Sequence, residues 1–260
     1  MLTTICFMKI VIFGTGNVAT VLGRKFKSAG HDILQVVGRN AKEASALAYE
    51  LDTISTVYKS AIDKGADLYL IAVSDHAITA VIDNLYLPGK VMAHTAASVP
   101  KEVLKSVSSH YGVFYPLQSL RKEMKEIPEI PVFYEGNDDE TKLMLGRLAD
   151  SISPGNVVHA DGDMRAKLHV AAVFVSNFTN HLYALAADYC RKEGIDFRQL
   201  QPLLEETATR IRDNAPGSVQ TGPALRRDSE TIQKHLALLK DHPQMKNLYL
   251  LLTESIQQMG

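Results

Sequence analysis

The apolar run Lys9-Ile-Val-Ile-Phe13 ends directly in Gly14-Thr15-Gly16-Asn17-Val18-Ala19, and an amphipathic stretch from Asn17 to Ala29 follows. A buried strand, a G-x-G-x-x-A turn and a helix, in that order, leave few folds open. Gly14 permits the tight turn, Gly16 lets backbone approach a pyrophosphate, and Ala19 lets the helix pack close to the strand. The start of the helix then offers free N–H groups and a positive dipole to phosphate. Glycines also punctuate ordinary turns, so the motif gains weight only from its surroundings. Those surroundings keep the rhythm. Strands are expected at Ile33 to Val37, near Thr56 to Tyr58, and at Leu68 to Val73, Lys90 to Ala93, Gly112 to Tyr115, Val132 to Tyr134 and Val157 to His159. Helical patterns such as Lys42 to Glu50 separate them, which predicts an α/β domain with a mostly parallel sheet.

After about Ala160 the strands stop. Met164 to Tyr189, Phe197 to Asp213, Glu230 to Lys240 and Gln244 to Gln258 read as helices, with Asp196 and Ser229 as N-caps and Pro243 as a first-turn proline. The chain is therefore expected to divide into a nucleotide-binding domain at 1–155 and an all-helical domain at 156–260.

Composition excludes several classes. In 260 residues, 28 basic side chains balance 29 acidic ones, without the basic excess of a nucleic-acid binder. Cys6 and Cys190 are too few for a disulfide framework or a cysteine metal site, which points to a reducing, cytoplasmic setting. No uninterrupted apolar run approaches the ~20 residues of a membrane span. The start, Met1 to Phe13, is apolar but lacks a basic leader and a small-residue cleavage site, and Met8 is a second candidate start.

The end of the second strand should choose the cofactor. Enzymes that use NAD usually place an acid there for the ribose 2′-OH. Here Gly38-Arg39-Asn40 stands instead, and an arginine can pair with a 2′-phosphate, which favours NADP. The alternative is a solvated surface arginine. The nicotinamide should lie at the carboxyl ends of later strands, near Val73-Ser74-Asp75-His76 and His94-Thr95-Ala96-Ala97-Ser98, with Ser74 and His94 as contacts. Asp75 and Ser98 read better as helix N-caps.

At 100° per residue, Arg165, His169, Ser176 and Asn180 share one narrow face of the long helix, with Asn177 at its edge. Leu168, Val170, Phe174, Val175 and Phe178 occupy the other faces, so the helix is expected to be largely buried. A polar stripe on such a helix needs partners, water or ligand. It reads either as a core hydrogen-bond ladder or dimer seam, or as the wall that sets His169, Ser176 and Asn177 against a substrate carbonyl or imine. Thr221-Gly222-Pro223-Ala224-Leu225-Arg226-Arg227-Asp228 forms a rigid turn between helices. Arg226 and Arg227 could clamp an anionic substrate, or the segment is a simple connection.

With these residues together, the chain resembles a family of Rossmann-like oxidoreductases that carry a C-terminal helical domain of unassigned role. These are distant relatives of pyrroline-5-carboxylate reductase, ketopantoate reductase and the 3-hydroxyisobutyrate/6-phosphogluconate dehydrogenases. The resemblance rests on the Gly14-to-Ala19 turn, His94-Thr95, Tyr115-Pro116-Leu117-Gln118, the helix from Lys167 to Asn177 and the Thr221-Gly-Pro turn. It spans nearly the whole chain. Three positions depart from it: Tyr115 stands where a histidine often precedes the proline, Ala96-Ala97 replace a Ser-Gly pair, and Arg227 replaces a common glycine. The resemblance implies a Rossmann-like sheet domain, a helical domain like that of 6-phosphogluconate dehydrogenase, NADP as cofactor and a homodimer formed through the helical domains. It also implies reduction of a small carbonyl or imine, such as the 2-oxo acid ketopantoate. In that reading His169 gives the proton, Asn177 and Ser176 orient the acceptor, and Arg226 or Arg227 holds a carboxylate. The rival expectation is an NADP-binding sensor or interaction protein that keeps the fold without turnover.

Overall fold

Strand β1 (Lys9–Phe13) buries Ile10, Val11, Ile12 and Phe13, as a central strand covered on both faces must. The computed structural model describes residues 7–259; the expectations placed on Met1 to Cys6, including the leader-like start, lie outside the described residues. β1 lies between β2 (Asp32–Val37) and β4 (Leu68–Ile71), and β3 (Ile54–Thr56) pairs with the outer side of β2. Beyond β4 come β5 (Val91–His94), β6 (His110–Pro116), β7 (Val132–Gly136) and β8 (Val157–His159). All pairings in this eight-strand sheet are parallel except β6 with β7.

The chain runs outward from β1 to β3 and then returns to β4 on the other side of β1. That reversal opens a crevice at the carboxyl ends of β1 and β4, the place where doubly wound sheets hold ligands. Alternating strand residues supply two cores. Ile10, Ile12, Leu68, Leu70 and Phe114 pack with α1 (Asn17–Ser28), α2 (Ala41–Glu50) and α4 (Asp139–Ile152). Val11, Phe13, Tyr69, Ile71 and Met92 pack with α3 (Ile78–Ile82) and with Leu104 and Val107. The strand near residue 56 starts two residues earlier than its β-rich pattern indicates, at Ile54, where it pairs with Gln35.

Beyond the sheet lie α5 (Gly162–Ala172), a π-helical stretch at Val173–Phe178, α6 (Thr179–Lys192), α7 (Gln201–Arg210), α8 (Ser229–Leu238) and α9 (Pro243–Met259). The chain divides into two compact units between Ser176 and Asn177, inside the π-helical stretch. Two expectations about the second half need correction. The helix at 197–213 begins as a 3-10 turn, capped by Asp196, and its regular part ends at Arg210. The third helix is capped by Asp228, whose Oδ1 accepts the Thr231 N–H at 3.1 Å, and Ser229 is its first residue.

The long helical run also differs from its expected burial. Val170, Phe174, Val175 and Phe178 are 60%, 63%, 75% and 50% exposed in the single chain. Of the described residues, one helical run, Gly162–Lys192, is long and apolar enough to cross a membrane by length and composition. The sequence pattern shows no uninterrupted span because Lys167, His169 and Asn177 break the apolar run.

Candidate functional site

A cavity of about 810 Å³ occupies the crevice between β1 and β4. Gly14, Thr15, Gly16, Asn17, Val18, Arg39 and Ser74 all line it, so most of the residues expected to meet a cofactor share one space. Gly14 sits at φ +122°, and a Cβ there would lie 2.2 Å from the Ala72 carbonyl oxygen. The turn after β1 thus presses against the end of β4, which only glycine allows. Gly16 differs: a Cβ there would meet nothing within 4 Å. Its α-carbon opens into the cavity, where backbone can approach a bulky ligand.

Gly16 caps α1 without any side-chain hydrogen bond, so the first-turn N–H groups remain available to an anion. Fully buried Ala19 lets α1 lie close to the sheet. At the end of β2, Gly38 could not carry a Cβ without meeting Ala44 and Thr15 at 2.8 and 2.9 Å. Arg39 follows it, exposed on the cavity wall, while the Asn40 side chain accepts from the Lys42 and Glu43 N–H groups and so caps α2. Glu43 also lines the cavity and accepts from Thr15 Oγ1 at 2.9 Å.

His94 is not on this wall. Its ring is fully buried at the end of β5, where Nδ1 accepts the Ala96 N–H at 3.2 Å, and its neighbour Thr95 lines the cavity instead. Strand alternation puts the two side chains on opposite sides. Asp75 lines the cavity and makes no capping bond; the cap position of its 3-10 turn is Ser74. Ser98 is not a cap either, because the next 3-10 turn takes Pro100 in that position.

On the same sheet face as His94, α5 is tied down by a buried ionic network. Arg165 is fully buried and donates from Nη1 to Glu135 Oε2 at 2.6 Å and to the Ala160 carbonyl at 2.8 Å. Lys101 donates to the other Glu135 oxygen. Burial alone would push the Glu135 carboxyl up, but the bonds from Lys101 and Arg165 prevail and hold it below the usual carboxylate range. One turn beyond Arg165, His169 Nδ1 meets Tyr115 Oη at 3.1 Å. Tyr115 is the penultimate residue of β6, and burial, helped by the charge of Asp75, raises its phenol above the ordinary tyrosine value. The expected stripe stops there. The π-helical stretch changes the step per residue, so Ser176 and Asn177 do not continue the Arg165–His169 face in α-helical register.

Arg226 and Arg227 lie exposed in the second unit. Arg227 adopts φ +53°, which explains why a glycine suits that position, and its Nη2 donates to the Gln257 carbonyl at 3.1 Å. That bond commits part of its fork to closing α9 (Pro243–Met259). Among the described residues, no group of three or more His, Cys, Asp or Glu side chains could hold a metal ion.

His94 has a second consequence. Burial, joined by the positive charge of Arg165, lowers its pKa to about 4. His31 is lowered by burial as well, with Nδ1 accepting the Met8 N–H at 3.2 Å and Nε2 facing Ser151 Oγ at 2.8 Å. Below the ordinary histidine value of about 6.5, the unfolded chain binds protons that the folded chain refuses. Stability is therefore expected to be full above that value and to fall by about 3 kcal/mol for His94 alone as pH drops toward 4. Denaturant midpoints across this window check the slope, and His94→Gln should flatten it.

A glycine cradle at the switch point and an arginine at the end of β2 mark a crevice built for a nucleotide. Comparison with known proteins gives the family. Residues 9–98 match the family described as NADP oxidoreductase coenzyme F420-dependent, and residues 130–256 match a domain of unknown function, DUF2520. BF3122 from Bacteroides fragilis, an NADP oxidoreductase by designation, is 37% identical over 97% of this chain and 98% of its own, with a TM-score of 0.88. The chain belongs to this NADP oxidoreductase family, and its cofactor is NADP(H). Two more distant structures share the fold. The 1-pyrroline-5-carboxylate reductase of Streptococcus pyogenes is 14% identical over 96% of this chain and 98% of its own, TM-score 0.64. The reductive aminase of Aspergillus terreus, in complex with NADPH and ethyl levulinate, is 18% identical over 97% and 95%, TM-score 0.69. No curated protein matches the sequence.

Proposed function

We propose that this oxidoreductase reduces a C=O or C=N bond of a small molecule with NADPH, 2-oxo acids such as ketopantoate and cyclic imines being the substrate classes to test first. The observation that carries this reading is one cavity that joins the open Gly16 cradle and Arg39 to Thr95 and Asp75, with the Tyr115–His169 pair beside Asp75. When bound, NADPH supplies hydride. Gly14 to Val18 hold its pyrophosphate through backbone N–H groups, Arg39 takes the 2′-phosphate, and Ser74 and Thr95 face the ring end. His169 serves the proton side of the reaction. Ser176 orients the acceptor.

Turnover is tested by NADPH consumption with a panel of oxo acids and cyclic imines; binding without turnover across the panel would favour the sensor reading. Arg39→Ala is expected to weaken NADPH by about 10- to 100-fold and to leave NADH unchanged, measured by titration calorimetry. Equal losses for both would take the phosphate away from Arg39.

The same proposal makes the protein a cytoplasmic homodimer. Cys190 is a buried free thiol, in keeping with a reducing compartment. The exposed Val170, Phe174, Val175 and Phe178 form an apolar surface that a second copy would cover. Lipid is the poorer cover, because the Arg165–Glu135 and His169–Tyr115 bonds hold this helix to a sheet. Sedimentation equilibrium is expected to give a dimer from the soluble fraction, and Val175→Asp to weaken it.

A further inference from the structure

The Tyr115–His169 contact joins a strand to a helix that lie 54 residues apart in sequence, and both side chains are titratable. Tyr115 lies on the sheet face that packs Ala97 and Val113, opposite Phe133 of the antiparallel neighbour β7. Its ring stands edge-on to the imidazole, with centroids 6.2 Å apart and planes at 76°. Tyr115 as a residue is 8% exposed, whereas His169 is exposed to solvent. Asp75, which lines the cofactor cavity, is near enough for its charge to act on the phenol. A part-buried hydroxyl within electrostatic reach of Asp75 on the cavity wall, backed by a solvent-exposed imidazole, is the arrangement of an acid with its own proton supply.

We propose that Tyr115, and not His169, is the group that hands the proton to the substrate, and that His169 holds and recharges it. This rests on the reductase reading above. With a proton on His169 Nδ1, the phenol oxygen accepts that hydrogen bond and its own O–H is free to turn toward the substrate. As hydride adds to the carbon of the C=O or C=N bond, the Tyr115 O–H bond breaks and the proton joins the oxygen or nitrogen. The resulting phenolate takes the Nδ1 proton of His169, while Nε2 takes one from solvent. One hydride and one solvent proton are consumed per turnover; His169 is left with its proton on Nε2, and exchange with solvent returns the proton to Nδ1 before the next turnover. A histidine exposed to solvent can exchange protons with water, but a direct donor gains from being dry.

The test uses the full-length protein, wild type and the variants Tyr115→Phe and His169→Asn. In the cofactor-free protein, ring nitrogen resonances read the pair directly: Tyr115→Phe is expected to move His169 Nδ1 toward the position of a free imidazole. An unmoved resonance would overturn the pairing. In turnover, Tyr115→Phe is expected to lower kcat by about 100-fold or more with NADPH affinity and substrate KM within about twofold. His169→Asn should cost less, about tenfold, because solvent replaces the relay slowly. If His169→Asn costs as much as or more than Tyr115→Phe, the histidine is the donor and the proposal is wrong. A Tyr115→Phe rate within about threefold of wild type also overturns it. A wild-type protein that reduces no member of the panel overturns the reductase reading and this proposal with it, so the wild-type rate tells the two failures apart. Should Tyr115→Phe fail to fold, 3-fluorotyrosine at position 115 keeps the test: its lower phenol pKa should change the rate if this proton moves, and an unchanged rate overturns the proposal.

Discussion

Arg165→Met is expected to destabilise the sheet unit by about 3–5 kcal/mol, a large part of the stability of a domain this size. The guanidinium is fully buried and donates to Glu135 and to the Ala160 carbonyl. Its removal leaves that carbonyl without its donor and leaves Glu135 with Lys101 as its ionic partner. Attraction between the charges is not the main term, because burying both ions is itself costly. The loss arises from leaving one of them behind, so Glu135→Leu added to Arg165→Met should recover at least half of it. Urea denaturation of the two variants measures the difference. Because His169 lies one turn after Arg165, the single variant should also weaken the Tyr115 contact, visible as a shift of the His169 ring nitrogen.

Gly14→Ala is expected to cost about 3 kcal/mol or more and to lower NADPH affinity by about 100-fold or more. An alanine would be strained at φ +122° and would drive its methyl to 2.2 Å from the Ala72 carbonyl oxygen, a backbone atom that cannot swing aside. Relief requires the turn to leave the end of β4, which dismantles the floor of the cavity. Gly16→Ala provides the contrast. Its backbone sits at φ −83°, its methyl would enter open space, and the fold should be unaffected. The same methyl occupies the path of the pyrophosphate, so NADPH affinity should fall by about tenfold while the melting temperature holds. Thermal melts and calorimetric titration of the pair separate folding from binding.

How much of this could be read from the chain depends on the range of the forces involved. Gly14, Gly16 and Ala19 act through local turn geometry and packing, so their places in the turn are legible in six consecutive residues. The place of Arg39 on the cavity wall is legible for the same reason, since the end of β2 faces the crevice. His94 was assigned to the cofactor because it follows a strand, but the pleat decides which of His94 and Thr95 meets the cavity. The helix from Met164 was read as α-helical throughout, and no sequence signal marks the π-helical stretch at Val173–Phe178. Its apolar pattern predicts buried faces, yet Val170, Phe174, Val175 and Phe178 are at least half exposed in the single chain, a difference that hydrophobicity alone does not show. Glu135 and Lys101 gave no signal at all. They matter only because β7 runs antiparallel to β6 and brings Glu135 under Arg165, a pairing between distant residues. Tyr115 was visible only as a departure from the histidine expected before Pro116; its contact with His169 required the fold.

The proposed site places NADP(H) in the crevice between β1 and β4, with Tyr115 as the proton donor to its substrate. A crystal structure of the protein grown with NADP+ tests it most directly. The expected result is the pyrophosphate over Gly16 at the start of α1, the 2′-phosphate on Arg39 and the nicotinamide ring between Thr95 and the Tyr115 hydroxyl. A nicotinamide that points away from Tyr115, or a crevice left empty at saturating NADP+, would contradict the account.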